Sequence, residues 1–167
     1  MPDALPLRAE LLLDEEAPDA LGQDLVAAFD GLGVRTARVR RAVDHRGAAD
    51  IPWLVLASLP LQAFLSGLGA EAVRDAYVSF KGVVRRGTGR EAAGTGGAPR
   101  PLVLQDDRSG LSVVLEPELP PEAYEQLLGL DLTRFRVGPL HYDRQLGRWR
   151  SELDEARATV DRPEGTG

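Results

Sequence analysis

The chain has 167 residues, a net charge of −6 and no cysteine. The missing cysteine excludes disulfide bonds, thiolate metal sites and thiol catalysis. The acidic balance argues against a dedicated nucleic-acid binder, which needs a basic face to meet phosphates. Lys81 is the only lysine, and the preference for arginine, alanine and glycine resembles that of proteins from GC-rich bacteria such as actinobacteria.

A chain of this length is expected to form one domain, which can bury about 70% of the surface that the unfolded chain exposes. We assign residues 1–153 to that domain and expect residues 154–167 to form a frayed helix or a disordered tail. The first residues lack a basic segment followed by an apolar one. The expected location is therefore the cytoplasm.

The first part of the chain predicts a strand, a helix and a second strand. Apolar and polar side chains alternate over Leu7–Leu13, which is typical of a half-buried strand. Leu21, Leu25 and Phe29 then recur at helical spacing, and Val34–Val43 predict another strand. A helical crossover of this length places its two strands parallel in one sheet.

Residues 51–70 contain no charged side chain. Within them, Trp53–Ala57 predict a buried strand, and Pro60 marks the start of an amphipathic helix that continues to about Phe80. Two glycines inside this helix are expected to weaken or bend it. Ser58 is predicted to cap the helix through its hydroxyl. This interpretation makes the stretch part of the core.

The same stretch is long enough to span a bilayer, which needs about 20 apolar residues. The side chains that would meet lipid are Trp53, Leu61, Phe64 and Leu68. Against them stand two prolines, two serines, two glycines and Gln62, which bring the free energy of insertion close to zero. We therefore favour the core and retain membrane insertion as an alternative.

The second part of the chain predicts shorter elements. Residues 87–100 are rich in glycine and have no apolar period, so they predict a flexible loop. The elements expected after it are a hairpin, a helix from Pro120–Pro121 to Gly129, a strand with Phe135, Val137 and Leu140, and a last hairpin with Gly147 in its turn and Trp149 on its returning strand.

The order of these elements is β-α-β-β-α, then β-β-α-β-β. Such an order predicts an α+β fold in which a mixed sheet carries two main helices on one face. No motif for a cofactor or a metal ion stands out, so none is predicted.

Arginines give the strongest charge cluster, with Arg35, Arg38, Arg40 and Arg41 on the second predicted strand and Arg46 beyond it. Strict alternation predicts that Arg38 and Arg40 share one face of the strand and that Arg35 and Arg41 share the other. One interpretation is an edge strand made charged to prevent edge-to-edge pairing. The other is a docking patch for an acidic partner or for anionic lipid head groups.

Trp149 lies between Arg148 and Arg150 in the last predicted hairpin. Tryptophan and arginine are favoured anchors at protein interfaces, so this hairpin is a second candidate surface. The alternative is that the indole covers the sheet as a packing residue.

The two histidines, His45 and His141, each lie close to an aspartate in sequence. Adjacent residues of a strand point to opposite faces, so this closeness does not build an acid–base pair. Neither histidine has the spacing of a metal site.

We expect an interaction or accessory protein without catalytic activity that acts on another protein. A membrane-engaging effector that uses residues 51–70 is the alternative, and an enzyme that uses His141 or His45 is a second one. Nucleic acid is the least favoured partner. The oligomeric state does not follow from the sequence.

Overall fold

A computed structural model describes residues 7–14, 17–41, 55–68, 70–87, 102–116 and 119–160. Its elements confirm the predicted α+β class. In chain order they are β1 (Leu7–Leu13), α1 (Asp19–Gly31), β2 (Val34–Arg41), β3 (Val55–Leu59), α2 (Leu61–Gly67), α3 (Ala70–Gly87), β4 (Leu102–Asp106), β5 (Ser112–Leu115), α4 (Pro121–Leu128), a 3-10 turn (Leu132–Arg134), β6 (His141–Asp143), β7 (Arg148–Arg150) and α5 (Glu152–Val160).

Five strands form a mixed sheet in the order β2-β1-β3-β4-β5. β1 and β2 are parallel, as the strand–helix–strand order predicts, and β3 and β4 are parallel as well. The two parallel pairs meet through the antiparallel contact of β1 with β3. β4 and β5 form an antiparallel hairpin, which confirms the predicted turn between them. β2 is therefore an edge strand of the sheet.

The main core lies between the sheet and its helices. Ala9, Leu11 and Leu13 of β1 are buried on the face that carries α1. The ring of Phe29 lies 6.2 Å from that of Phe64 and 5.5 Å from that of Phe80, measured between centroids. These contacts hold α1 against α2 and α3, because aromatic pairs at such distances are attractive. A second, smaller cluster of buried residues contains Leu56, Val103 and Val114.

The charge-free stretch contains β3 and α2. The side chains of Leu61 and Phe64 are 0% and 2% exposed, and Leu68 packs against the main core. Trp53 lies outside the described residues. The predicted helix is interrupted where its glycines were expected to weaken it, since α2 ends at Gly67, Leu68 has an extended backbone and α3 begins at Ala70. Of the helices in the described part of the chain, none combines the length and the apolar composition needed to cross a membrane.

The predicted strand over Phe135, Val137 and Leu140 is also wrong. The amide of Arg136 donates to the carboxylate of Asp154 at 3.0 Å, and the hydroxyl of Ser151 donates to the carbonyl of Val137 at 2.6 Å. Side chains near α5 thus replace a neighbouring strand as hydrogen-bond partners.

Leu140 is the one residue of this segment that joins the sheet. Its amide donates to the carbonyl of Ser112 at 2.8 Å, and its carbonyl accepts from the amide of Val114 at 3.0 Å. Leu140 therefore bridges the outer edge of β5.

The last predicted hairpin is confirmed as β6 and β7, with Gly147 at a φ of +64° in its turn. The predicted tail begins inside α5, which has no buried residue. Residues 161–167 and most of the predicted loop over residues 87–100 lie outside the described part of the chain.

Candidate docking edge

The edge strand β2 carries most of the predicted arginine cluster. Arg35, Arg38, Arg40 and Arg41 are all exposed, whereas Val34 at the start of the strand is 1% exposed. In the part of the chain that the structure describes, no strand pairs with the outer side of β2. Arg46 lies outside the described residues. We call the outer side of β2 and the side chains along it the docking edge.

A β-bulge decides where these arginines point. Ala9 pairs with Thr36 and Glu10 pairs with Arg38, so Ala37 is the extra residue of β2. A bulge adds a residue to one strand and shifts the alternation of side chains beyond it.

Three arginines share one face of β2 as a result. Arg35, Arg38 and Arg40 pair with Arg8, Glu10 and Leu12, which alternate with the core residues of β1 and so point away from α1. The prediction that Arg35 lies opposite Arg38 and Arg40 is therefore wrong. We call the side of β2 that carries these three arginines the arginine face.

The arginine face is electropositive on an acidic protein. Along β1 and β2, the exposed charges on this side are Arg8, Arg35, Arg38 and Arg40 against Glu10 alone. Exposed guanidinium groups that lie side by side create a local potential that attracts carboxylates. The arrangement can bind anionic side chains, and arginine suits this task because its planar fork matches a carboxylate.

Arg41 has a different environment. It pairs with Leu13, which faces α1. Its guanidinium donates to the carbonyl of Ala17 at 3.0 Å and to that of Asp14 at 3.4 Å, and it forms an ion pair with Asp19. Arg41 thus ties the end of β2 to the connection between β1 and α1, which gives it a structural role.

On the side of β2 that faces α1, a groove of about 610 Å³ separates the strand from the helix. Its apolar lining, which forms most of its surface, consists of Leu13, Gly22, Val26, Ala27 and Val39. Its polar lining consists of Asp19, Gln23, Asp30, Arg40 and Arg41, so that Arg40 borders the groove as well as the arginine face. Val39 is a large apolar residue, and its exposed fraction of 45% leaves it open to contact from outside. We call this feature the α1–β2 groove.

Gly22 explains how closely α1 approaches the sheet beneath the α1–β2 groove. A Cβ atom at this position would lie 3.0 Å from Cδ1 of Leu13 and 3.8 Å from Cγ1 of Val39. Glycine inside a helix costs about 1 kcal/mol relative to alanine. The close approach to Leu13 gives this glycine a packing role.

Trp149, the other predicted contact residue, is 4% exposed. Its indole nitrogen donates to the carbonyl of Ala123 at 2.8 Å, and its ring meets that of Tyr142 edge-on, 5.6 Å between centroids. The interpretation of Trp149 as an exposed contact is therefore wrong. The side chain joins the hairpin β6–β7 to α4, because a buried indole requires a hydrogen-bond partner.

Ser58 lies within β3 and does not cap α2. The cap comes from Asp106, whose carboxylate accepts from the amide of Leu61 at 3.1 Å. His141 lies on β6, with Nδ1 3.9 Å from the carboxylate of Glu116. His45 lies outside the described residues. Among the residues that the structure describes, no three carboxylate or imidazole groups converge as a metal site would require.

Sequence reasoning missed the bulge and the α1–β2 groove. The bulge has no local signal, since alanine is neutral at such a position, and its register depends on β1. The groove did have a signal, because Val39 is an apolar residue between arginines and Val26 adjoins the buried stripe of α1. No family model, curated protein or solved structure matches the chain.

Proposed function

We propose that this protein is a non-enzymatic interaction protein that binds an acidic partner protein through its docking edge. The observation that carries the proposal is the alignment of Arg35, Arg38 and Arg40 on one exposed face of an edge strand. Three positive charges are thus gathered on one face of a chain whose net charge is −6. The acidic, cysteine-free composition supports a location in the cytoplasm as part of the same proposal.

A protective role for the arginines is compatible with this function. Two copies of the chain that met through β2 would bring their arginines together, and like charges across paired strands are destabilising. The same charges favour a partner strand or surface that carries carboxylates. Protection against self-pairing and selection of an acidic partner thus follow from one arrangement.

The membrane-engaging alternative has weaker support. Leu61 and Phe64 would have to leave the main core, in which both are buried. Losing the burial of such side chains costs about 1.5–3 kcal/mol each. Insertion that is nearly neutral by itself does not offset this cost.

The proposal is tested by capture of partner proteins from lysate of the source cells. The test variant carries Arg35→Glu, Arg38→Glu and Arg40→Glu. The control variant carries Arg74→Glu, Arg108→Glu and Arg157→Glu, which are exposed on α3, the β4–β5 turn and α5. Both variants change the net charge by the same amount, so a general loss of basic charge affects them equally.

We expect one partner to be captured by the wild type and by the control variant, and to be lost with the test variant. The folding of each variant is checked by circular dichroism and urea unfolding. Equal capture by the test and control variants would show that the docking edge does not bind the partner, and the proposal would fail.

A further inference from the structure

We propose that the partner contributes an extended strand that adds to β2, with acidic and apolar side chains in alternation. This inference rests on the proposed function and specifies the chemistry of the partner. It follows from the fact that β2 has two chemically different sides. One side is the arginine face, and the other is the α1–β2 groove.

The backbone of β2 supplies the first part of the argument. Its inner side pairs with β1, and in the described part of the chain its outer side has no strand beside it. Main-chain groups on such an edge can pair with an extended segment, which then lies about 4.8 Å away. Successive side chains of that segment point alternately to the two sides of the sheet.

The arginine face determines one half of the pattern. Side chains of the added strand on this side would lie beside Arg35, Arg38 and Arg40. Carboxylates are stabilised there, whereas lysine and arginine are repelled. Charge complementarity therefore identifies the occupant as acidic and disfavours a second copy of this chain, whose own β2 carries the same arginines.

The α1–β2 groove determines the other half. Its volume of about 610 Å³ lies in the range of pockets that accept ligands. Val26 and Val39 line it and are only partly covered. Apolar side chains of the added strand would cover these residues, and the hydrophobic effect favours that contact. The partner segment is thus acidic on one face and apolar on the other.

The inference is tested with labelled, end-blocked peptides of 8 residues, the length of β2. The first peptide alternates glutamate and valine. The second alternates lysine and valine, and the third has the composition of the first but places all glutamates in one half. Two further peptides have the sequence of the first. One carries N-methyl groups on its glutamates, and the other carries them on its valines. Binding is measured by fluorescence anisotropy.

We expect the alternating acidic peptide to bind at least about tenfold more tightly than the lysine peptide and the block peptide. One of the two N-methylated peptides should not bind, because its methyl groups replace the main-chain N–H donors that face β2. Arg35→Glu/Arg38→Glu/Arg40→Glu should abolish binding, and Arg74→Glu/Arg108→Glu/Arg157→Glu should retain it. Val39→Thr, which keeps the strand geometry, should weaken binding several-fold.

Other outcomes separate this inference from the proposed function. Equal binding of the alternating and block peptides, or of all N-methylated forms, would show a purely electrostatic contact and overturn the added strand. Failure of every peptide, with capture from lysate still dependent on the arginines, would overturn the inference and leave the proposed function standing. Dimerisation of the chain through β2 would contradict the proposal that the segment added to β2 is acidic and belongs to a partner. Loss of arginine dependence in both assays would remove both proposals.

Discussion

The carboxylate of Asp106 accepts a hydrogen bond from the backbone amide of Leu61 at 3.1 Å, although 45 positions separate the two residues. Its other oxygen accepts from the amide and the hydroxyl of Ser109, each at 2.8 Å. One side chain thus caps α2 and closes the β4–β5 turn. Burial tends to raise the pKa of Asp106, but these hydrogen bonds outweigh it and hold the pKa below its ordinary value.

We expect Asp106→Ala to lower the free energy of unfolding by about 1–2 kcal/mol, because it removes a helix cap and a turn at once. Urea unfolding followed by circular dichroism measures this change. Asp106→Asn keeps one acceptor oxygen and serves as the control, with a smaller loss expected. A stability for Asp106→Ala equal to that of the wild type would show that water replaces the carboxylate without cost.

Arg41→Ala should destabilise the protein by about 1 kcal/mol, since the guanidinium holds the carbonyls of Asp14 and Ala17 next to the end of β2. The side chain is 40% exposed, so its ion pair with Asp19 adds little to that figure. Arg40→Ala is the matched control on the arginine face, and its effect on stability should stay within about 0.5 kcal/mol.

Arg41→Ala should have the larger effect on stability, whereas Arg40→Ala should have the larger effect on partner capture. Arg40→Ala should weaken capture more than Arg41→Ala does, because only Arg40 belongs to the arginine face. If Arg41→Ala leaves the unfolding curve unchanged and instead abolishes capture, the structural role of Arg41 is refuted.

The regular elements of the fold were predictable because their signals are local. The alternation over Leu7–Leu13 and the helical spacing of Leu21, Leu25 and Phe29 each depend on neighbours within one element. The strand predicted around Val137 failed for the opposite reason. Its apolar residues have the pattern of a strand, but Asp154 and Ser151 take the hydrogen bonds that a strand would make.

The candidate site was predictable only in composition. The sequence shows that the arginines of β2 form a cluster, but the face on which each lies depends on how Ala9 and Glu10 of β1 are paired. The sequence pattern does not separate Arg41 from the other arginines, because its partners, the carbonyls of Asp14 and Ala17, lie on a different part of the chain. Contacts between distant segments therefore decide which arginines are available to a partner.

Deletion of Ala37 should convert β2 into a regular strand without moving any arginine to the other face. The pairings of Thr36 with Ala9 and of Arg38 with Glu10 can then follow each other directly. An uninterrupted edge pairs with other strands more readily than a bulged one. We expect the deletion variant to self-associate more than the wild type at high salt, where the repulsion between arginines is screened.

Size-exclusion chromatography with light scattering, at low and at high salt, measures this difference. Ala37→Ser keeps the chain length and serves as the control, with the behaviour of the wild type expected. A deletion variant that has the same mass as the wild type at both salt concentrations would show that the bulge does not limit pairing at this edge.

Asp143 should contribute to the acid sensitivity of the hairpin β6–β7. The amide of Leu146 and the guanidinium of Arg150 donate to its carboxylate and hold its pKa below the ordinary value. A carboxylate with a lowered folded-state pKa stabilises the protein above its unfolded pKa, about 4, and loses this contribution as the pH falls through the folded pKa.

We therefore expect Asp143→Asn to be less stable than the wild type at neutral pH and to differ less from it at low pH. Urea unfolding over a pH series, monitored by circular dichroism, measures this convergence. Glu125→Gln, an exposed position on α4, is the control and should follow the wild type. A constant difference between Asp143→Asn and the wild type at all pH values would contradict the assignment.

The bridge between Leu140 and β5 limits the number of strands that can add to the sheet. A head-to-tail fibre requires each copy to offer two complementary edges, and Leu140 already occupies a position beside Ser112 and Val114 on one of them. A strand that joins β2 would therefore terminate growth of the sheet instead of templating the next addition. If a partner strand adds to β2 as proposed, we expect a complex of fixed stoichiometry, in which one chain receives one segment.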